Sequence, residues 1–217
     1  MNPFPLVAAL ALGSPTDTAP SLGTCTVSGV FTVTDVRGEA FEPEFAEVYV
    51  DTRLPISPRQ QERTLRQKNK AFVPRVLVVE AEDTVIFKNE DDFPHEIHAD
   101  RSRNAFVSGQ NQRPETFRLQ FSEVGESLLG CRIHPQMSGV VLTVPNAFHV
   151  AVGPGGKWSL GGLPAQDLEL VFWARNGMKT NVERRRVKAC TDTKVDVTVK
   201  GATPPLATSY GGQVRSD

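Results

Sequence analysis

Short runs in which apolar and polar residues alternate recur along almost the whole chain. In one of them Val195, Val197 and Val199 alternate with Lys, Asp and Thr. A period of two buries one face of a β-strand and leaves the other face in water. Gly and Pro residues, which favour turns, separate these runs from one another. The alternation therefore predicts an all-β protein.

One short segment combines three side chains that bind soft metal ions. Cys131, His134 and Met137 bring a thiol, an imidazole and a thioether into the segment 131–137, directly after the strand-like run 127–129. Two imidazoles and a thiolate with a weak thioether ligand are typical of blue (type 1) copper sites. A structural zinc site uses Cys and His ligands and has no need of a thioether. We therefore predict a site for one copper ion, with one ligand to be found elsewhere.

The missing ligand is predicted at the turn that follows the strand-like run 84–87. Pro94 and His95 end this turn, and His98 follows three residues later. We take His95 as the ligand and His98 as the alternative, because strand alternation allows only one of the two to face the ion. Pro94 and Pro135 restrict the backbone beside His95 and His134, which favours a preset geometry.

The three cysteines bear on the cellular compartment. With Cys131 as a ligand, a disulfide between Cys25 and Cys190 would account for the remaining two; the alternative is two buried free thiols. A disulfide requires an oxidising compartment. In segment 1–24 the apolar residues 1–12 look like the core of a secretory signal that lacks its basic region, and a polar linker follows them. Either the start is misplaced and residues are missing upstream, or the segment is only a flexible N-terminus. We expect a periplasmic or secreted protein.

Charge and hydropathy exclude two classes of partner. The formal net charge is −1 over 217 residues, which gives no polycationic signature of nucleic-acid binding. No apolar run approaches the roughly 20 residues that a membrane span needs. The basic, weakly apolar segment 57–70 is predicted to be a loop or a short solvated helix. Residues 201–217 are rich in Pro, Gly, Ser and Thr and are predicted to be disordered.

The predicted strands fall into two interleaved groups. Residues 26–51 and 146–199 have the pattern of one β-sandwich split in two. Residues 71–144 have the pattern of a second sandwich inserted between the halves. The Cys131 to Met137 segment lies wholly in the inserted part.

The inserted part resembles a blue-copper cupredoxin, a Greek-key β-sandwich. The motifs that carry the resemblance are Phe72-Val73-Pro74, the run Val76 to Val79, Val85-x-Phe87-x-Asn89, Pro94-His95 and the Cys131 to Met137 loop, whose short length is similar to that of amicyanin. The resemblance implies equatorial ligands His95, Cys131 and His134 and an axial Met137.

One departure from the amicyanin and plastocyanin pattern bears on the surroundings of the ligands. Asn89 and Glu96 are implied as neighbours of the ligand shell, and Glu96 stands where those families have Asn directly after the first His ligand. The resemblance therefore does not predict for this chain the hydrogen bond that this Asn gives the ligand loop. A carboxylate near the metal would lower the reduction potential by stabilising Cu(II).

The flanking parts resemble a carboxypeptidase regulatory-like, transthyretin/Ig-like β-sandwich. The resemblance is carried by Gly29-Val30-Phe31, Ala46 to Val50 and Gly155 to Pro164. The whole arrangement is similar to periplasmic cupredoxin-like proteins of the methylamine-utilisation type.

These resemblances imply a one-electron carrier with a transient redox partner, either a cytochrome or a copper or quinone enzyme. The alternative is a module that holds or delivers copper, or an extracellular structural sandwich, without redox turnover. The chain contains four histidines. With two in the copper site, too few remain for a multinuclear copper cluster, so the sequence predicts that the protein is not an enzyme.

Overall fold

A computed structural model describes residues 23–56, 59–100, 102–113 and 115–203. The described residues form seventeen strands and one short 3-10 helix (Pro154–Gly156). The strands are β1 (Cys25–Thr34), β2 (Ala40–Phe41), β3 (Phe45–Val50), β4 (Glu62–Lys68), β5 (Ala71–Val73), β6 (Val76–Glu80), β7 (Asp83–Asn89), β8 (His95–Ala99), β9 (Phe106–Asn111), β10 (Thr116–Phe121), β11 (Gly125–Cys131), β12 (Ser138–Val144), β13 (His149–Ala151), β14 (Lys157–Leu163), β15 (Asp167–Asn176), β16 (Lys179–Lys188) and β17 (Val197–Val199).

The two ends of the described chain form one sandwich, which we call the flanking sandwich. One sheet has the strand order β14-β1-β17 with β2 added to β1, and the other has the order β13-β3-β15-β16. Phe172 lies at the centre of the core, with its ring centroid 5.4 Å from that of Phe31 and 5.3 Å from that of Trp158. A disulfide joins Cys25 to Cys190, near the two ends of this sandwich.

The middle of the chain forms a second sandwich with its own core. Its two sheets have the orders β10-β7-β4-β5 and β6-β12-β11-β8-β9. Leu65, Phe87, Ile97 and Phe121 are fully buried between them, in one apolar cluster with Cys131 and Met137. The all-β fold predicted from alternation is therefore confirmed, as two β-sandwiches.

The segment predicted as a loop or a solvated helix contains strand β4. Glu62 to Gln67 pair in parallel with Thr84 to Asn89 of β7, so the middle sandwich begins before residue 71. Leu65 and Gln67 are fully buried while the residues beside them reach solvent. The prediction was wrong because it counted charges without their positions on the strand. Arg66 and Lys68 stand on the solvent face, and Arg63, on the inner face, lies 3.7 Å from the buried Asp83 carboxylate.

The two sandwiches share a third apolar cluster. Val140, Leu142 and Val144 of β12 pack against Tyr49 of β3 and, on β15, against Val171 and Trp173. The Glu126 carboxylate adds a polar contact across this junction, because it accepts a hydrogen bond from the Trp173 indole and lies 3.5 Å from the Arg175 guanidinium. Strands β11 and β12, which enter and leave the Cys131 to Met137 segment, are therefore both held by the flanking sandwich.

The predicted terminal segments lie mostly outside the described residues. Of the signal-like segment 1–24 only Gly23 and Thr24 are described, and of the predicted disordered tail only residues 201–203. Ala202 is buried, and its backbone N–H donates to the Thr34 carbonyl at 2.9 Å. Ala202 at the start of the predicted tail is therefore part of the fold, and residues 204–217 lie outside the described residues. Within the described part of the chain, no helix has the length and apolar character to cross a membrane.

Candidate metal centre

Pairing between β8 and β11 places the candidate ligands from two distant stretches side by side. Cys131 is the register partner of Ile97, and the Arg132 N–H donates to the Glu96 carbonyl at 2.9 Å. Cys131 ends β11, and the chain then turns, with the Met137 N–H donating to the His134 carbonyl at 3.0 Å. This turn folds His134 back over the thiol.

The two histidines and the cysteine point at one another. The Cys131 Sγ atom lies 3.7 Å from His95 Nδ1 and 3.8 Å from His134 Nδ1. One ligand atom from each of these three residues lies within 4.8 Å of the other two, and in the described part of the chain no other group of three His, Cys, Asp or Glu side chains does so. The soft thiol and two imidazoles fit a copper ion.

The site is buried except along one edge. His95 is 0% exposed and Cys131 and Met137 are buried, whereas His134 is half-buried between the exposed residues Ile133 and Pro135. Met137 belongs to the same apolar cluster as Cys131. Only the His134 imidazole therefore connects the site to the surface.

Aromatic and cationic groups surround the exposed imidazole. The Phe93 ring centroid lies 5.2 Å from that of His134 and 5.4 Å from that of His95, and the Lys70 ammonium sits 5.2 Å from the Phe93 ring. Burial lowers the pKa of His134, and the charges of His95 and Lys70 act in the same direction. A lowered pKa favours the neutral imidazole that a metal requires.

Asp91 supports the buried histidine, a role that the sequence analysis missed. Its Oδ2 atom lies 3.0 Å from His95 Nε2, so the imidazole holds Nδ1 toward Cys131. The same carboxylate accepts the N–H groups of Asn69 at 2.6 Å and Lys70 at 3.0 Å. Burial alone would raise the pKa of Asp91, but these hydrogen bonds outweigh it and lower the pKa. Nothing in the Asn89 to Asp92 run distinguishes Asp91 from its exposed neighbour Asp92.

Asn89 fixes the loop between β7 and β8. Its side-chain nitrogen donates to the carbonyls of Phe93 and Asn111, both at 2.9 Å, and its oxygen accepts the Asp91 N–H at 2.9 Å. The amide is 1% exposed. Asn89 thus sets the positions of both Asp91 and the Phe93 backbone around His95.

Glu96 and His98 lie on the opposite face of β8 from His95. The Glu96 carboxylate is 3.2 Å from the guanidinium of Arg132, the residue that follows Cys131. His98 Nδ1 lies 2.8 Å from the Asp100 carboxylate, and its ring packs against Gly130, where an added Cβ would come within 2.6 Å of Nε2. His98 is therefore turned away from Cys131, and Glu96 contacts the ligand loop through an ion pair.

Solved structures similar to this chain include three copper or cupredoxin proteins. A Cu-containing nitrite reductase (NirK) from Thermus scotoductus SA-01 is 28% identical over 37% of this chain and 21% of its own, with a TM-score of 0.36. A purple cupredoxin from Nitrosopumilus maritimus is 22% identical over 37% of this chain and 97% of its own, with a TM-score of 0.34. A reduced amicyanin variant is 20% identical over 44% and 97%, with a TM-score of 0.36.

These comparisons bear on one prediction. The prediction that the protein is not an enzyme is corrected, because the nitrite reductase is itself an enzyme and this chain spans about a fifth of it. The number of histidines in one chain is therefore an insufficient criterion for predicting that a copper protein is not an enzyme. No protein-family description and no curated protein matches the sequence.

Proposed function

We propose that this protein binds one copper ion through His95, Cys131, His134 and Met137 and transfers single electrons. The observation that carries the proposal is the convergence of the Cys131 sulfur on two Nδ1 atoms at 3.7 and 3.8 Å, one of which comes from a residue 36 positions upstream. Copper bound by such a set supplies a Cu(I)/Cu(II) couple.

The side chains around the site suit electron transfer through one edge. Cys131 lies in an apolar cluster and His95 is fully buried, and Asp91 and Asn89 hold His95 in place. A ligand set that is already fixed needs little rearrangement when its charge changes. The half-buried His134, with Phe93 and Pro94 beside it, offers the exit toward a partner.

The partner and compartment follow as further parts of this proposal. The Cys25–Cys190 disulfide supports a periplasmic or secreted location, because such bonds persist in oxidising compartments. The partner would be a cytochrome or a copper or quinone enzyme, bound transiently through a contact below about 1,200 Å². We also propose that the flanking sandwich is a carboxypeptidase regulatory-like module, supported by the Gly155 to Pro164 motif that contains β14. The two sandwiches together would then form a protein of the methylamine-utilisation type.

The proposal is tested by adding Cu(II) to the purified protein and recording its visible spectrum. We expect an intense blue band that ascorbate removes and ferricyanide restores. Cys131→Ala and His95→Ala should abolish the band, whereas His98→Ala, the matched control on the other face of β8, should keep it. A wild type that stays colourless with Cu(II) and does not bind Cu(I) would refute the copper site. Tight Cu(I) binding without a stable blue Cu(II) form would favour copper delivery, rather than electron transfer, as the function of the site.

A further inference from the structure

Two amide side chains lie buried behind the candidate metal centre with all their polar atoms unpartnered. Gln67 is 0% exposed and Asn111 is 4% exposed. Neither the nitrogen nor the oxygen of either side-chain amide has a hydrogen-bond partner within the described residues. Buried polar groups in folded proteins are paired with protein atoms or with ordered water, so both amides require a partner.

The register of the strands directs both amides into the same space. Asn111 is the register partner of His95 in the antiparallel β8–β9 pair, so the two side chains share the inner face of that sheet. Gln67 is the register partner of the buried Asn89 in the β4–β7 pair, so these two share the inner face of the opposite sheet. Asn89 in turn donates to the Asn111 carbonyl at 2.9 Å. Gln67 and Asn111 therefore flank Asn89 between the two sheets.

We propose that Gln67 and Asn111 form an internal water-binding site behind His95. Together the two amides offer both donors and acceptors, and a buried water typically makes about three hydrogen bonds to such groups. An apolar site would stay dry, but Gln67 and Asn111 are neutral polar side chains whose amide atoms are buried without a partner among the described residues. The bound water links β4 of one sheet to β9 of the other and supports the strand that pairs with His95. The site does not depend on bound copper.

A crystal structure of the wild-type protein, with and without copper, tests the site directly. We expect an ordered water within hydrogen-bonding distance of both Gln67 and Asn111 in each crystal. Density that instead shows the two amides bonded to each other, with no water between them, would overturn the proposal. Because the crystals contain the wild-type protein, this test does not depend on whether a variant folds.

A solution measurement tests the same site independently. Magnetic relaxation dispersion of water ¹⁷O counts long-lived internal waters, and Gln67→Met replaces the amide by a side chain of similar length. We expect the variant to hold fewer such waters than the wild type and to unfold at a lower urea concentration. Gln110→Met, at the exposed neighbour of Asn111, should change neither value. An unchanged water count in Gln67→Met would refute the site.

Discussion

At the residue scale, the site depends on carboxylates that look alike in the sequence and differ in their contacts. Asp91 is buried against His95, while Asp92 is 88% exposed and pairs with Arg113. Glu96, next to His95 in the chain, belongs to the outer face of β8. Strand alternation turns Glu96 away from the candidate ligands. Asp91 and Asp92 lie in the loop before β8, where the hydrogen bonds of Asp91 to His95 and to the N–H groups of Asn69 and Lys70 set it apart.

Asp91→Asn is expected to weaken copper binding by about 10- to 100-fold, because carboxylates that orient a ligand histidine contribute this much to metal affinity. The reduction potential should also rise, since the carboxylate stabilises the more positive Cu(II). Competition with a chelator and a redox titration measure the two effects. Asp92→Asn is the matched control, and an equal effect of both changes would argue against a specific role of Asp91.

Glu96→Asn is expected to shift the reduction potential less than Asp91→Asn does. The Glu96 carboxylate is paired with Arg132 at 3.2 Å and stands on the face of β8 opposite to His95. The positive charge of Arg132 therefore offsets most of the effect of this carboxylate on the metal. Redox titration of the two variants side by side checks this. A larger shift from Glu96 would favour the sequence-based hypothesis that this carboxylate acts on copper directly.

Glu80→Gln is expected to stabilise the protein at neutral pH. Burial raises the pKa of Glu80, and the adjacent Asp83 raises it further, so folding disfavours the charged form. The contribution of Glu80 to the free energy of unfolding is therefore fully present below its unfolded pKa of about 4.3. That contribution is lost as the pH rises through the folded pKa. Urea unfolding should give the variant a higher free energy of unfolding than the wild type at pH 7, and this difference should vanish near pH 4. The exposed Glu123→Gln is the control, and a gain that persists at pH 4 would contradict this reasoning.

At the element scale, β4 shows how a charged sequence can form a central strand. Its neighbours in the sheet are β7 and β5, and Leu65 fills the core beneath it. The charged side chains on its other face form ion pairs. Arg66 pairs with Glu90, and Glu62 pairs with Arg118 of β10. Such exposed ion pairs add little stability, so the strand is stabilised mainly by its buried side chains.

Leu65→Ala is expected to destabilise the protein by about 2–5 kcal/mol, the usual cost of truncating a fully buried leucine. Thr64→Ala, one residue earlier on the exposed face, should change stability by no more than about 0.5 kcal/mol. Denaturant unfolding of both variants measures the difference. Equal effects would mean that residues 62–68 do not form a core strand.

At the scale of the whole molecule, two sandwiches are tied together by the path of the chain. The chain leaves the flanking sandwich after β3 and returns to it at β13, and the Cys25–Cys190 disulfide closes a loop of sequence separation 165 around the entire middle sandwich. The shared apolar cluster on β12, β3 and β15 completes the connection. Unfolding of one sandwich therefore exposes apolar surface of the other.

Replacement of both cysteines by serine, Cys25→Ser with Cys190→Ser, is expected to lower stability by about 5 kcal/mol on the loop-entropy relation. Cys131 remains in this variant, so the copper band should persist while the fold survives. Urea unfolding and the visible spectrum measure the two quantities. Unchanged stability would show that the bond does not constrain the unfolded chain.

The sequence alone determined the all-β class and the candidate ligands, because strand alternation and ligand chemistry are local properties that a pattern of residue types expresses. His95, Cys131 and His134 were chosen on these grounds, and the fold brings them within reach of one another. The strand character of β4, the role of Asp91 and the outward direction of His98 came only from the tertiary structure. Each of these depends on which strand lies alongside, and pairing between residues far apart in the chain leaves no mark on the composition of either segment.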